Sequence, residues 1–434
     1  MRVLFVPVIN RSQAFLMTPL AWSMRNAGHQ VRVAIQPDMA DYIASIGLTP
    51  APVGRPRPEM KQDMEDAEPE QDPVAPATDP LTRPKSVQTE YGWGDPAATL
   101  HHLAFDFFKM LSPDALIDET VEYARRWRPD LIIWNTLAFS GAVAARVTGA
   151  AHARMPWGVD TLAQVRADFR RARAGGATTP DPMEQWLQPI LQRHGARFDE
   201  EMVLGQWTID PAPQWIHHTQ RAGVHYVPMR HVAFNGPATV PDWVHDQPTR
   251  KRVCLTLGVS NRESHGVESS ARALLEAVED LDIEVVATFN ERQLGGTTAG
   301  LPDNVRVVDF VPLAALLPTC SAIVHHGGPG TFSTALEYGV PQLIVNGTYW
   351  HVKWWGSIAM ANGLEERGAG VYVSDGDNLT PDKLRKQLIR VLDDPSFARN
   401  AEQLRIEQLG VPSPNEIIPS LERLTAEHRA RATR

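Results

Sequence analysis

Short apolar runs recur along this chain, each followed by a stretch with helical spacing, and that alternation constrains the fold more than any other feature. Residues 3–8 read as a buried strand. Residues 18–27 read as a helix with Leu20, Ala21, Met24 and Ala27 on one face and Gly28 as its C-cap. A second strand follows at 31–35. The same order returns with strands at 131–134 and 151–154 around a helix at 141–147. The second half is more regular. Strands at 253–257, 283–289, 305–308, 322–325 and 342–345 are separated by helices at 267–278, 313–317 and 331–338, and two helical stretches close the chain after Thr380. Strand–helix–strand repetition of this kind builds parallel sheets with crossover helices. At 434 residues the chain exceeds what one core usually supports, so two such units are expected. The fold class is α/β.

The alternation fails in two places. From about 54 to 98, prolines at 56, 58, 69, 73, 76, 80, 84 and 96 are interleaved with acids, which reads as a mobile loop within the first unit. Residues 236–250, rich in Pro and opening on Gly236, read as the linker. The expected division is therefore 1–235, then the linker, then 251–434. The last helix is expected to pack back on the first unit.

Composition narrows the function. With 42 basic and 51 acidic residues the formal charge is −9, which argues against non-specific nucleic-acid binding. No window of about twenty apolar residues and no leader-like start is present, so neither a membrane span nor a membrane partner is expected and the default location is the cytoplasm. Cys254 and Cys320 lie in apolar stretches without a second cysteine or a histidine nearby, and read as buried thiols rather than metal ligands.

The chemistry concentrates in Ser321-Ala322-Ile323-Val324-His325-His326-Gly327-Gly328-Pro329-Gly330-Thr331. An apolar strand runs through two histidines and glycines into a helix. Glycines let anionic oxygens approach the backbone, and the helix start offers unpaired N–H groups and a positive dipole end. That combination suits a diphosphate, with His326 and Thr331 as side-chain donors. An ordinary tight turn capped by Thr331 is the bland alternative.

His325 through Thr331, with Glu337-Tyr338-Gly339-Val340-Pro341-Gln342, resembles the donor signature of family 1 glycosyltransferases of the GT-B fold, two Rossmann-like doubly wound domains facing across a cleft. The chain is most similar to the actinobacterial antibiotic glycosyltransferases that attach deoxysugars to macrolides and anthracyclines. Pro19-Leu20-Ala21-Trp22 with Ala27-Gly28-His29 carries the likeness in the first unit. Arg126 through Leu131 and Gly141 through Arg146 carry it in the middle, and Asp309-Phe310-Val311-Pro312 in the second unit. The resemblance implies inverting, metal-independent transfer, without a cofactor, of a deoxysugar from a dTDP-sugar to a polyketide-type aglycone. It implies that His326, Gly328, Gly330 and Thr331 hold the diphosphate, with Ser260 approaching it, and that Phe310 and Val311 frame the nucleobase. It also implies an activator protein, related to cytochromes P450 but lacking haem, on the N-terminal domain. A homodimer is the assembly to test.

Two positions depart from the family. Where it carries a histidine as general base, this chain has Gln13, which cannot take a proton at neutral pH. Asp160 is then a candidate base, with a loop cap as its alternative role. His101 and His102 read as helix surface. After Gln342, where the family commonly places an acid toward the sugar, the chain reads Asn346 through Trp355 without one. Tyr349, Trp350 and His351 are the residues expected at the sugar and acceptor cleft. Gln13 also keeps open a non-catalytic or auxiliary subunit, or N- or C-glycosyl transfer with a different base. A nucleotide-sugar 2-epimerase shares the architecture. A nicotinamide oxidoreductase is disfavoured, because no Gly-x-Gly-x-x-Gly follows the first strand.

Overall fold

The structure is a computed structural model and describes residues 1–56, 95–216, 223–258, 269–291, 293–294, 300–346 and 356–432. The expected loop at 54–98 falls almost wholly outside them. Two parallel sheets organise the chain. The first has strands β1 (Arg2–Val6), β2 (Gln30–Ile35), β3 (Pro50–Pro52), β4 (Leu131–Asn135), β5 (Ala151–Met155), β6 (Trp207–Asp210) and β7 (Tyr226–Pro228) in the order β3-β2-β1-β4-β5-β6-β7. The second has β8 (Lys251–Thr256), β9 (Ile283–Thr288), β10 (Val305–Val307), β11 (Ala322–His325), β12 (Gln342–Asn346) and β13 (Gly370–Asp375) in the order β10-β9-β8-β11-β12-β13. Both sheets reverse direction once, between β1 and β4 and between β8 and β11. Crevices that accept ligands open at such reversals, outside the carboxyl ends of the strands.

Strand periodicity separates the packed faces. Leu4, Val6, Ile132 and Trp134 join one core of the first sheet, while Val3, Phe5, Leu131 and Ile133 join the other. In the second sheet Val253, Leu255 and Val324 face one layer, and Cys254, Val286 and Ile323 the opposite one. Each fully buried aliphatic side chain of this kind contributes roughly 1.5–3 kcal/mol. The helix Ile418–Ala432 places Ile418, Leu421 and Leu424 in the same core as Val3 and Phe5, so the chain's end lies against the first sheet. His29 contacts this helix through Glu422 at 3.0 Å as well as the Met1 amine.

The first helix starts earlier than its periodicity suggests. It spans Arg11–Asn26, because the Asn10 side chain accepts the Ser12 N–H at 2.9 Å and its carbonyl accepts the Gln13 N–H at 3.1 Å. Gln13 therefore sits in a rigid first turn rather than in a loop. Helix resumes at Pro96–His102, which Asp95 caps, and runs on through a π-helical stretch at Leu103–Phe108. There His101 is exposed and stacks on Phe105, and His102 pairs with Asp106 at 2.7 Å. Among the described residues no helix is long and apolar enough to cross a membrane.

Candidate active site

A cleft opens between the carboxyl ends of the two sheets. The first sheet contributes Ser12, Gln13, Phe15, Leu16 and Trp157. The second contributes Thr256, Gly258, Thr288, Asp309 to Val311, Leu313 and the run from His326 to Thr331, Gly327 excepted. The connecting strap adds His231, Phe234 and Asn235. The two chain reversals thus face each other, with Gln13 just after β1, and Gly258 and His326 just after β8 and β11.

Two adjacent histidines have different jobs. His325 closes β11, paired with Thr256 of β8, and is buried. Its Nδ1 accepts the Gly327 N–H at 3.1 Å, so Nε2 carries the proton and donates to Gln342 Oε1 at 2.9 Å. Burial lowers its pKa to about 3, so the ring is neutral and fixes the turn. His326 lies one residue further and faces the cleft, 7% exposed. Its ring rests between two glycines. A Cβ on Gly258 would lie 2.4 Å from His326 Cε1, and one on Gly328 2.7 Å from Nε2. Gly258 also has φ +77°, a left-handed conformation that favours glycine.

The helix Pro329–Glu337 begins beside this ring. Gly328 is its N-cap and supplies no side-chain cap, so the N–H groups of Gly330 and Thr331 lack intrahelical acceptors at the cleft. Thr331 is not the cap that a bland reading of the turn would make it. It lies inside the first turn and lines the cleft. A helix start with free backbone N–H groups, a positive dipole end and an adjacent imidazole has the chemistry that suits an anion. Below it, the Thr288 hydroxyl donates to Thr256 Oγ1 at 2.7 Å, which also accepts the Gly258 N–H at 3.2 Å. Phe310 and Val311 line the neighbouring wall. Val311 is also core, packed with Val286 and Leu316. Asn235 Oδ1 accepts the Ala314 N–H at 2.8 Å and ties the strap to this wall.

On the opposite side, Asn135 at the end of β4 donates from Nδ2 to Gln13 Oε1 at 3.0 Å, and both side chains are buried. Asp160 has a structural role instead of the basic one considered for it. It caps the helix Thr161–Ala174 through the Ala163 N–H, is held by both terminal nitrogens of buried Arg154, and accepts the Tyr226 hydroxyl at 3.0 Å. Burial first, then the neighbouring Asp160 charge, pushes that tyrosine's pKa up. With its oxygens committed to a buried cation and a helix end, and no place in the cleft wall, this carboxylate is not available to an acceptor. Ser260, Tyr349, Trp350 and His351 lie outside the described residues.

Several cleft residues carried weak signals in the sequence. Gly258 could have been found as a glycine directly after an apolar strand, and Asn135 as the first polar residue at a strand's carboxyl end. Thr256, Thr288 and Trp157 carry no comparable pattern. His231, Phe234 and Asn235 carry no signal either, because chain connections show no periodicity. Among the described residues no group of three His, Cys, Asp or Glu side chains is placed to hold a metal ion.

Family models place this architecture. The model of the erythromycin biosynthesis protein CIII-like N-terminal domain matches residues 22–258, and that of the C-terminal domain matches 272–424. The aclacinomycin-T 2-deoxy-L-fucose transferase of Streptomyces galilaeus is 46% identical, covering 99% of this chain and 97% of its own length. The 3-alpha-mycarosylerythronolide B desosaminyl transferase of Saccharopolyspora erythraea is 42% identical, covering 99% of both. The crystal structure of glycosyltransferase VinC in complex with dTDP matches with a TM-score of 0.83 at 38% identity, covering 98% of this chain and 100% of that one. Fold, cleft and likeness together define a nucleotide-sugar-dependent glycosyltransferase of the GT-B type. The chain belongs to the erythromycin biosynthesis protein CIII-like family of antibiotic glycosyltransferases.

Proposed function

We propose that this enzyme transfers a deoxysugar from a dTDP-sugar to a polyketide-type aglycone, with inversion at the anomeric carbon. The observation that carries the reading is the geometry of the β8/β11 reversal, where His326 rests between Gly258 and Gly328 beside an uncapped helix start. In this reading residues 251–434 bind the donor, 1–235 bind the acceptor and 236–250 connect them. His326, Gly328, Gly330 and Thr331 hold the diphosphate, joined by Ser260. Phe310 and Val311 frame the thymine. Tyr349, Trp350 and His351 contact sugar or acceptor, and Gln13 contacts the acceptor.

As the acceptor attacks the anomeric carbon, the bond to the β-phosphate oxygen breaks and negative charge grows on the leaving diphosphate. The Gly330 and Thr331 N–H groups and His326 are placed to receive that charge before it forms, which is how preorganised donors lower a barrier. The relatives' names support the substrate classes: one is a 2-deoxy-L-fucose transferase and another a desosaminyl transferase. A P450-like activator on the N-terminal domain, a homodimer and a cytoplasmic location complete the reading.

The test is incubation with dTDP-deoxysugars and a panel of macrolide and aromatic polyketide aglycones, with and without an activator protein, read by mass spectrometry. A glycoside together with free dTDP is the expected result. Gln13 favours a second reading, a donor-binding auxiliary subunit. Nucleotide binding without turnover of any aglycone, rescued by Gln13→His, would establish that instead.

A further inference from the structure

The direction of each hydrogen bond around Gln13 is fixed by the backbone. Asn135 Oδ1 accepts the Leu137 N–H at 3.0 Å, so the other end of that amide is Nδ2, and Nδ2 donates to Gln13 Oε1 at 3.0 Å. Asn135 is fully buried at the β1/β4 reversal, and the Gln13 backbone is held in the first helical turn by the Asn10 carbonyl. The Gln13 amide cannot turn over without breaking this chain. Its Nε2, with no hydrogen-bond partner among the described residues, is the end left for a ligand, in a residue that lines the cleft. An amide NH₂ has two protons and no available lone pair, so it can only donate. None of the other residues the first sheet contributes to the cleft, Ser12, Phe15, Leu16 and Trp157, is an acid or a base; the titratable groups on the rest of its wall are His231 of the strap, whose Nδ1 lies 3.7 Å from the Glu337 carboxylate, and Asp309 and His326 of the second sheet.

From this we propose that the acceptor is an acidic hydroxyl, of the phenol or enol type, which reaches the cleft already ionised and is received by the Gln13 Nε2–H. The inference rests on the donor reading above and narrows its acceptor class. The proton passes to water before the transfer. The oxyanion then attacks the anomeric carbon, the bond to the β-phosphate oxygen breaks, and its electron pair leaves with the diphosphate. Acidity decides the availability of such a nucleophile. A phenol ionises near 10, so at pH 8 about one molecule in a hundred carries the charge. A hydroxyl as weakly acidic as water, near 16, supplies fewer than roughly one in ten million. Asn135 acts through Gln13 and is a positioning residue.

The experiment compares a hydroxyanthraquinone with its hydroxymethyl counterpart as acceptors for the same dTDP-deoxysugar, with the dTDP affinity of each protein measured separately. The wild type is expected to favour the phenol by at least about 100-fold in kcat/KM, the scale of a missing general base. Its rate should rise with pH up to the dye's own ionisation. Gln13→His should bring the hydroxymethyl compound within about tenfold, since it restores a base. Asn135→Asp replaces the donor with an acceptor, so the Gln13 amide reverses and turns its carbonyl to the cleft. Phenol transfer should then fall at least about tenfold, and the absorbance of the bound dye should show it less ionised at a given pH, with dTDP affinity unchanged. Should Asn135→Asp fold poorly, Gln13→Leu gives the same dye readout. Equal or better use of the hydroxymethyl compound, transfer to neither compound by protein that binds dTDP, or a dye ionisation indifferent to both variants overturns the proposal. Failure of the wild type to bind dTDP would instead count against the donor reading.

Discussion

The two sheets reverse direction in the same way, yet the two reversals are built differently. At β8/β11 the site is made of backbone: glycines, an uncapped helix start, and one imidazole that needs neighbours without Cβ atoms. At β1/β4 it is made of side chains from distant elements, with Gln13 held by Asn135 across 122 residues of sequence. Further down the β5 side, Asp160 is consumed in a buried ion pair. A diphosphate is nearly the same in every donor and can be gripped by backbone geometry. An acceptor varies, so in the proposed function the surface that meets it is set by exchangeable side chains.

That contrast predicts where each half breaks. The largest effect belongs to Asp160→Asn. It leaves the buried Arg154 charge with two neutral partners there, Thr208 and the new amide, which should cost about 3–5 kcal/mol of stability, read by denaturant unfolding. Normal stability with abolished transfer would restore Asp160 as a base and break the comparison. Gly258→Ala comes next. The new methyl meets the His326 ring and the left-handed backbone together, so dTDP affinity should fall by about 2–3 kcal/mol, roughly 30- to 150-fold, with little change in acceptor binding.

Acid should weaken both halves alike. His152 of β5 in the first sheet and His325 in the second are neutral, their pKa values lowered by burial to about 3. The unfolded chain binds these protons near 6.5 and the folded chain does not. The stability they confer is therefore fully present above about pH 6.5 and is lost as the pH falls from there toward 3. By pH 5 each should have given up about 2 kcal/mol, seen as a falling melting temperature. His152→Gln should blunt part of that loss while leaving dTDP affinity intact. If it changed dTDP affinity, the two halves would not be separable. The smallest effect is His326→Ala, which removes one charge-assisted hydrogen bond and should weaken dTDP by about 1.5 kcal/mol, roughly tenfold, in calorimetry.

The same contrast explains what could be read from the sequence. Strand–helix alternation and the run from His325 to Thr331 are local, so the α/β fold and the glycine-rich strand–helix turn at the cleft are visible in contiguous residues. The separate jobs of the two histidines are not. They depend on Gln342 reaching back to one ring and Gly258 making room for the other, contacts between strands that are neighbours only in space. Asp160 looked available because its partner Arg154 sits inside an apolar strand, where a charge gives no periodic signal. Asn235 went unmarked because a residue that satisfies a helix start from another element leaves no local trace.

The most direct test of the central claim is calorimetric titration of the wild-type protein with dTDP beside uridine diphosphate. The account predicts saturable binding of one dTDP per chain, tighter than uridine diphosphate. A folded sample that releases no binding heat with either nucleotide would contradict it.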